Sequence, residues 1–395
     1  MRILLAHSFY RARGGEDVVF EAETALLRQH GHSVFCLTRQ NKDFEILGVT
    51  GQLSSMIWNQ GIYQQTKQLV RDHQIELVHV HNTFPSMSPS IIRAACSEGA
   101  SVVQTLHNYR IFCPAATFLR NGAKCDECLG STLMWPAVRH GCYRHSSAAS
   151  AAVAAVYSTH RAMGTWTRHV DRFIALSDWM KERVVTAGLP EPKVAVKHHF
   201  VENPHPVLDR PRKGALFVGR LTEEKGLRTL LSAWSLLEAP PPLTIVGEGP
   251  LGSEFQSSLS QRGEIRWMGQ LSRSKILQLM EEAECLIVPS ILEEPFGLVV
   301  IEAYSAGLPV IASRVGTLPE LLVGEQTGFL CQPGDPHQLA AAVLRMFADS
   351  TPRHRLREQA RATYETSYQP EANHQLLMKI YQNAKQDRHA RKQPE

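Results

Sequence analysis

The stretch from Cys285 to Ala312 constrains the fold more than any other. An apolar run, Cys285-Leu286-Ile287-Val288-Pro289-Ser290, leads through two adjacent acids, Glu293-Glu294, to Pro295, Phe296 and Gly297. A helix-like segment with one acid inside it, Glu302, follows, and Gly307-Leu308-Pro309 hands over to a second apolar run, Val310-Ile311-Ala312. Short apolar runs bounded by turn residues and joined by a helix read as buried parallel strands with a crossover. The acids then lie at the carboxyl end of a strand, the edge where open parallel sheets bind ligands. Ionised carboxylates only accept hydrogen bonds. Glu294 on the loop and Glu302 on the helix, eight positions apart, therefore suit a hydroxyl-rich ligand.

The same alternation opens the chain. Arg2 to Ser8 reads as a strand running into a polar loop with Gly14-Gly15. A helix with Val18, Val19, Ala22, Ala25 and Leu26 on one face ends at Gly31, and Ser33 to Leu37 is the next strand. The glycine pair lacks the further glycines of a dinucleotide fingerprint, so a nicotinamide enzyme is disfavoured. It is either a tight turn or a place where backbone N–H groups at a helix start meet an anion. Leu77 to His81 and Ser101 to Leu106 are further strands, ending in His81-Asn82 and His107-Asn108. One histidine at a strand end is ordinarily structural; two at the same sheet edge point to a site.

Residues 109–146 break this rhythm. They hold Cys113, Cys125, Cys128 and Cys142, spaced C-x11-C-x2-C-x13-C. A C-x2-C knuckle with two flanking thiols matches a structural zinc site, and four reduced cysteines in a loop-rich insertion is the plainer alternative. An alanine-rich helix is expected from Ser147 to about Arg168, then the strand Arg172 to Leu176, the helix Asp178 to Ala187 and the strand Lys193 to Lys197. A segment rich in proline and charge, 205–213, reads as a linker.

A second strand–helix series starts at Ala215. The expected organisation is a Rossmann-like domain over 1–204, the linker, a second such domain over 214–368, and a C-terminal helix and tail over 369–395 that packs back on the first domain and frays from Lys385. A chain of 395 residues is long enough for two such cores, facing one another across a cleft. The formal charge of +4 excludes histone-like polyanion binding and permits an anionic small substrate or a membrane surface. No apolar stretch is long enough to span a bilayer, and Met1 to His7 is too short for a signal peptide. The expected location is the cytosol, where the eight cysteines stay unpaired.

Arg220 and Lys225 flank the turn after the first strand of the second domain, beside Gly219 and Gly226. Alone, such a pair is an ordinary solvated turn. Next to carboxylates for hydroxyls, two cations at a helix start provide the remaining half of a nucleotide-sugar site, the diphosphate. Glu293, by contrast, reads as a solvated loop acid.

Together these residues carry a resemblance. Glu294-x7-Glu302 with Phe296-Gly297 inside it and Ala306-Gly307-Leu308-Pro309-Val310 after it resembles the signature of retaining GT-B glycosyltransferases of family 4. Gly219-Arg220-Leu221 with Glu224-Lys225-Gly226 is similar to that family's phosphate turn, and Gly14-Gly15 to its first-domain glycine loop. Gly316-Thr317-Leu318-Pro319-Glu320 is similar to its Gly-Gly-x-Pro-Glu loop, with Thr317 in place of the second glycine. The cysteine insertion resembles a bacterial subgroup linked to exopolysaccharide synthesis.

The resemblance implies two doubly wound α/β domains and hexosyl transfer, with retention, from a nucleotide-diphosphate sugar to a glycan or lipid-linked acceptor. It implies no metal at the reaction centre. Glu294 would hold the donor sugar, Glu302 the ribose, and Arg220 and Lys225 the departing diphosphate. Gly14 and Gly15 would approach that diphosphate through their backbone, and His107 would meet the sugar. Gly219, Gly297, Leu298 and Val299 would line the nucleotide. Asp17 and Glu16 are candidates for the proton acceptor, or caps of the first helix. An epimerase of the same fold, a non-catalytic sugar-nucleotide binder and a zinc-dependent nucleic-acid module are the alternatives. The last is opposed by the mild charge and the absence of an interleaved basic–aromatic patch. Contact with the inner face of a membrane would follow from a lipid-linked acceptor, and Arg11 and Arg13 suit it.

Overall fold

The computed structural model describes residues 1–10, 13–44, 48–202, 211–260 and 263–391. Arg11 and most of the expected linker therefore lie outside the described residues. The chain divides into two compact units. The first comprises Met1–Phe118, Cys125–His199 and Asn373–Glu395; the second comprises Leu119–Lys124 and Phe200–Ala372.

Unit one is built on the strands β1 (Arg2–Phe9), β2 (Ser33–Gln40), β3 (Leu77–Asn82) and β4 (Ser101–Thr105). A two-residue-per-strand hairpin, β5 (Leu119–Arg120) and β6 (Ala123–Lys124), interrupts the series, and β7 (Arg172–Ala175) and β8 (Val194–Val196) complete the sheet. Its order is β2-β1-β3-β4-β7-β8, with every pair parallel. The central strands β3 and β4 are buried along their whole length, their polar members His79, His81, Asn82, Ser101, Gln104 and Thr105 included.

The C-terminal helix, Pro370–Ala390, belongs to this core from Asn373 onward. Leu377, Ile380, Tyr381 and Ala384 recur at helical spacing and join Ile3, Leu5, Leu77, Val103 and Ile174 in one cluster. Full burial of Leu377 and Ile380 contributes about 1.5–3 kcal/mol each. Over the described residues 385–391 the expected fraying is not found, because Lys385 reaches Glu76 at 2.6 Å and Arg391 reaches Asp171 at 2.6 Å. The alanine-rich helix is also shorter than expected. It ends at Ala162, the chain turns through Gly164 at φ +66°, and a short helix, Thr165–His169, follows. The helices Val49–Ile57 and Gln60–Asp72 were not anticipated; their apolar positions are interrupted by glycine and glutamine.

Unit two contains β9 (Ala215–Val218), β10 (Leu243–Val246), β11 (Ile265–Trp267), β12 (Cys285–Val288), β13 (Val310–Ser313) and β14 (Gly328–Cys331). Its sheet runs β11-β10-β9-β12-β13-β14, again parallel throughout. Phe217, Ile245, Ile287, Ile311 and Phe329 form the core with Leu230 and Trp234 of the helix Leu227–Ser235 and with Leu339 and Val343 of Pro336–Ala348. Strand order reverses between β9 and β12. That reversal opens a crevice at the carboxyl ends of those two strands. Among the described residues no helix is long and apolar enough to cross a membrane.

Candidate functional site

The turns after β9 and β12 meet at the crevice of unit two. After β9 the chain passes Gly219 and Arg220 into a single 3-10 turn, Glu223–Lys225, that ends in Gly226 at φ +74°. A Cβ on Gly226 would lie 1.8 Å from the carbonyl oxygen of Pro289, so only glycine lets this turn press onto the end of β12. Ile291 N–H donates to the Glu224 carbonyl at 3.0 Å and ties the two turns together. The result is a junction in which Lys225 Nζ donates to Glu294 Oε1 at 2.5 Å and Ser290 Oγ donates to the same oxygen at 2.8 Å. Burial alone would raise the Glu294 pKa. Lys225, Ser290 and Arg220 more than offset it, so the carboxyl sits below its ordinary range and is ionised at neutral pH.

A third loop closes over Glu294. Gly316, at φ +58°, would place a Cβ 2.6 Å from the Glu294 amide nitrogen, which again admits only glycine. The next residue has no such need. Thr317 lies at φ −76°, where any residue fits, and its Oγ1 donates to the Pro295 carbonyl at 3.0 Å while its N–H approaches the Glu294 carbonyl at 3.3 Å. A threonine where the resemblance has a second glycine thus adds a contact without strain.

Gly219 N–H pairs with the Val246 carbonyl at 3.0 Å, and Arg220 projects outward, 71% exposed, with Glu224 at 3.5 Å. Gly297 precedes the helix Leu298–Ser305, whose first turn holds Leu298 and Val299; methyls of Leu318 and Leu321 crowd Gly297, so it faces protein on that side. Glu302 lies on the second turn of this helix. Burial raises its pKa, offset in part by Arg273 at 3.5 Å. Glu293 differs from expectation. It is 5% exposed and lies 3.3 Å from Lys124 of the β5–β6 hairpin, a neighbour 169 positions away that no local pattern announces.

In unit one, Gly14 caps the helix Gly15–Gln29, and its N–H already donates to Asp17 Oδ2 at 2.9 Å. The expected open pair of amides is therefore partly used, because Asp17 takes the place an anion would fill. Asp17 also meets His7 Nε2 at 2.7 Å. Glu16 does not cap; its Oε1 accepts from Asn108 at 2.8 Å, and burial raises its pKa. His107 is 8% exposed, and its Nε2 lies 3.0 Å from His81 Nδ1. Burial first, then His81 and His199, hold its pKa well below the ordinary histidine range. His81, Asn82, Thr83, His107 and Asn108 line a small polar cavity.

One group, His81 apart, escaped sequence reasoning. Glu23 Oε2 accepts from Lys197 Nζ at 3.0 Å, and Lys197 also donates to Asn373 at 2.9 Å. Glu23 Oε1 is 3.1 Å from His79 Nδ1 and 3.3 Å from His81 Nε2. The available signal was the His79-Val80-His81 alternation, which sets both rings on one face of β3.

Cys113 and Cys128 are buried, and Cys125 and Cys142 half-buried. They share one neighbourhood: burial pushes the Cys128 thiol up to about 11, with Cys113, Cys142 and Cys125 adding to the shift. The donor set suits zinc, although the four sulfurs are not drawn to within 4.8 Å of one another as a set.

Known proteins resemble both units. A family model described as Glycosyltransferase Family 4 matches residues 12–203, and one described as Glycosyl transferases group 1 matches residues 203–363. The glycogen synthase of Mycobacterium tuberculosis (strain CDC 1551 / Oshkosh) is 38% identical over 149 residues, 35% of this chain and 36% of that protein. The amylovoran biosynthesis glycosyltransferase AmsK of Erwinia amylovora is 27% identical over 228 residues, 52% of this chain and 55% of that one. The chain thus spans between a third and just over half the length of these relatives. Among solved structures, HepE of Anabaena in complex with UDP is 18% identical, covers 96% of this chain and 99% of its own, and has a TM-score of 0.67, a likeness of fold.

Proposed function

The chain belongs to the glycosyl transferases of family 4 and has their GT-B fold, and on that premise we propose that it moves a hexosyl group, with retention, from a nucleotide-diphosphate sugar to a glycan or lipid-linked acceptor in cell-surface polysaccharide synthesis. The observation that carries this reading is the Lys225–Glu294–Ser290 junction at the strand-order reversal of unit two. It supplies an ionised acceptor for sugar hydroxyls and, beside it, a cation for the diphosphate. Negative charge grows on that diphosphate as it departs, and preorganised cations stabilise it there.

In this reading Glu294 takes the sugar hydroxyls, Glu302 the ribose hydroxyls, and Arg220 with Lys225 the diphosphate. Gly219, Gly297, Leu298 and Val299 form the nucleotide's backbone surroundings. Gly14 and Gly15 approach the diphosphate once Asp17 yields, and His107 takes a hydroxyl of the sugar. No step requires a metal. The role in polysaccharide synthesis draws on what the name of AmsK says of that protein.

A thermal-shift panel of UDP-, GDP-, ADP- and dTDP-sugars tests the reading. One nucleotide should raise the melting temperature, because a ligand bound only by the folded state stabilises it. Arg220→Ala and Lys225→Ala should weaken that shift. No shift with any nucleotide would overturn the reading.

The proposal extends to a structural zinc on Cys113, Cys125, Cys128 and Cys142, supported by the all-sulfur donor set. Metal analysis of protein purified without chelator should find one equivalent, lost in Cys125→Ser; its absence from the unaltered protein removes the site. It extends also to a cytosolic location with contact at the inner face of a membrane, which co-sedimentation with anionic vesicles reads directly.

A further inference from the structure

We infer that Glu23, acting through His81, is a positioning residue that fixes His107 in the tautomer whose Nδ1 accepts a hydrogen bond, so that His107 receives a hydroxyl and turns away a phosphate oxygen. The inference rests on the proposed function, in which His107 meets the donor sugar, and it lies wholly within unit one.

At the base of this arrangement is a sealed ion pair. Glu23 and Lys197 are each 1% exposed, and Lys197 Nζ holds Glu23 Oε2 at 3.0 Å. Lys197 with His79 outweighs the burial of Glu23, so the carboxyl sits well below its ordinary range and stays ionised. A carboxylate has lone pairs and no hydrogen to give. His81 Nε2 stands 3.3 Å from Glu23 Oε1, out of line for a full hydrogen bond, and neither atom has a hydrogen-bond partner among the described residues. A lone pair on that nitrogen would face the carboxylate and be repelled, so Nε2 carries the ring hydrogen.

Burial holds His81 neutral, pushing its pKa down to about 3, and a neutral imidazole has one ring hydrogen. Nδ1 of His81 is therefore an acceptor. Its neighbour at 3.0 Å is His107 Nε2, which must donate. His107 is neutral as well, so this hydrogen is its only one, and Nδ1 is left with a lone pair. A sugar hydroxyl can donate to that lone pair. An ionised phosphate oxygen cannot.

The ion pair thus selects what His107 contacts, at a distance of two imidazoles. His79 does not break the chain, because its own Nδ1 and Nε2 are met by Tyr381 Oη at 2.7 Å and Thr105 Oγ1 at 2.8 Å.

Two measurements on the full chain test this. A long-range proton–nitrogen correlation spectrum of histidine-labelled protein, with His107 assigned by its loss in His107→Gln, should show the His107 hydrogen on Nε2. A hydrogen on Nδ1, or a charged ring, overturns the inference. The second arm compares two substitutions. His81→Asn puts a carboxamide oxygen where Nδ1 accepts, and His81→Phe keeps the ring without an acceptor. kcat/KM for the donor should fall roughly tenfold in His81→Phe, the worth of one net hydrogen bond, and stay close to the unaltered protein in His81→Asn. Equal losses in both, or none in His81→Phe, overturn the inference; if His81→Phe does not fold, the spectrum decides. Absence of any transfer by the unaltered protein would sink the proposed function, while the spectrum would still decide the tautomer.

Discussion

Each unit sets a buried glutamate against a lysine, and the two pairs differ in how far they are open to solvent. In unit one, Glu23 and Lys197 are sealed at 1% exposure each, and their polar neighbours Asn373, His79 and His81 are all protein. In unit two, Glu294 is 9% and Lys225 24% exposed, with Ser290 as the further partner. A sealed pair is built once, on folding, and transmits orientation. A pair open on one side can exchange a partner for a ligand. Under the proposed function, identical groups serve as framework or site according to whether anything can reach them.

The largest effect tests the sealed half. Lys197→Met leaves the Glu23 charge buried and uncompensated, which costs about 3–5 kcal/mol. Calorimetry should show the first unfolding transition displaced far downward while nucleotide affinity, which the proposed function assigns chiefly to unit two, falls far less. A small loss of stability would mean that the pair is not the framework its burial indicates.

The open half should respond in the opposite sense. Glu294→Gln is expected to lower kcat by about a hundredfold to a thousandfold, equivalent to about 2.7–4 kcal/mol of transition-state stabilisation. Its melting temperature should move little, since Lys225 can turn to water. Steady-state kinetics beside a melting curve separate these outcomes, and undiminished turnover would remove Glu294 from the site.

Acid should divide the units further. His81, His107 and His199 have folded pKa values below the ordinary 6.5, each primarily through burial. Below about pH 6.5 the unfolded chain therefore binds more protons than the folded one, and stability falls with pH. Each such imidazole contributes about 1.4 kcal/mol per pH unit in that window. In unit two the relevant carboxyls act with opposite signs. Glu294, lowered, loses its contribution only as pH falls through a value below 4.5, whereas Glu302, raised, gains as pH falls. Hydrogen exchange at pH 5.5 against pH 7 should thus expose the β3 and β4 amides before those of β9 and β12. The reverse order would break the comparison.

What was legible in the sequence follows the same division. The strands announced themselves because parallel strands buried on both faces carry short apolar runs, unbroken in Cys285–Val288 and interrupted by histidine in Leu77–Asn82. Glu294 and Lys225 were legible because each sits beside glycine or proline in a turn directly after a strand, where the chain's own punctuation marks the sheet edge. The Glu23 group was not. Its members at 23, 79, 81, 197 and 373 come together only through the β1-β3-β4 order and the return of the C-terminal helix, and neither is written in any local pattern. Glu293 was misread for the same reason, since Lys124 reaches it from a hairpin inside the cysteine insertion. The expected linker over 205–213 falls mostly outside the described residues.

Thr317 offers the smallest test, and it probes how the open pair is held. Its Oγ1 bond to the Pro295 carbonyl pins the loop that carries Glu294, and the residue is fully buried. Thr317→Ala removes one buried donor and leaves that carbonyl short of a partner, for a cost of about 0.5–1.5 kcal/mol. Thr317→Gly restores the residue found in the resembling motif, yet it adds backbone freedom to the unfolded chain at a position whose φ of −76° does not need it. The glycine variant should therefore melt below the alanine variant, and both below the unaltered protein. Glu294 is also held by Lys225 and Ser290, so kcat should drop less than it does in Glu294→Gln. If glycine instead matched threonine in melting temperature and exceeded it in turnover, the loop would need to move during the reaction, and the junction around Glu294 would be less preorganised than its hydrogen bonds indicate.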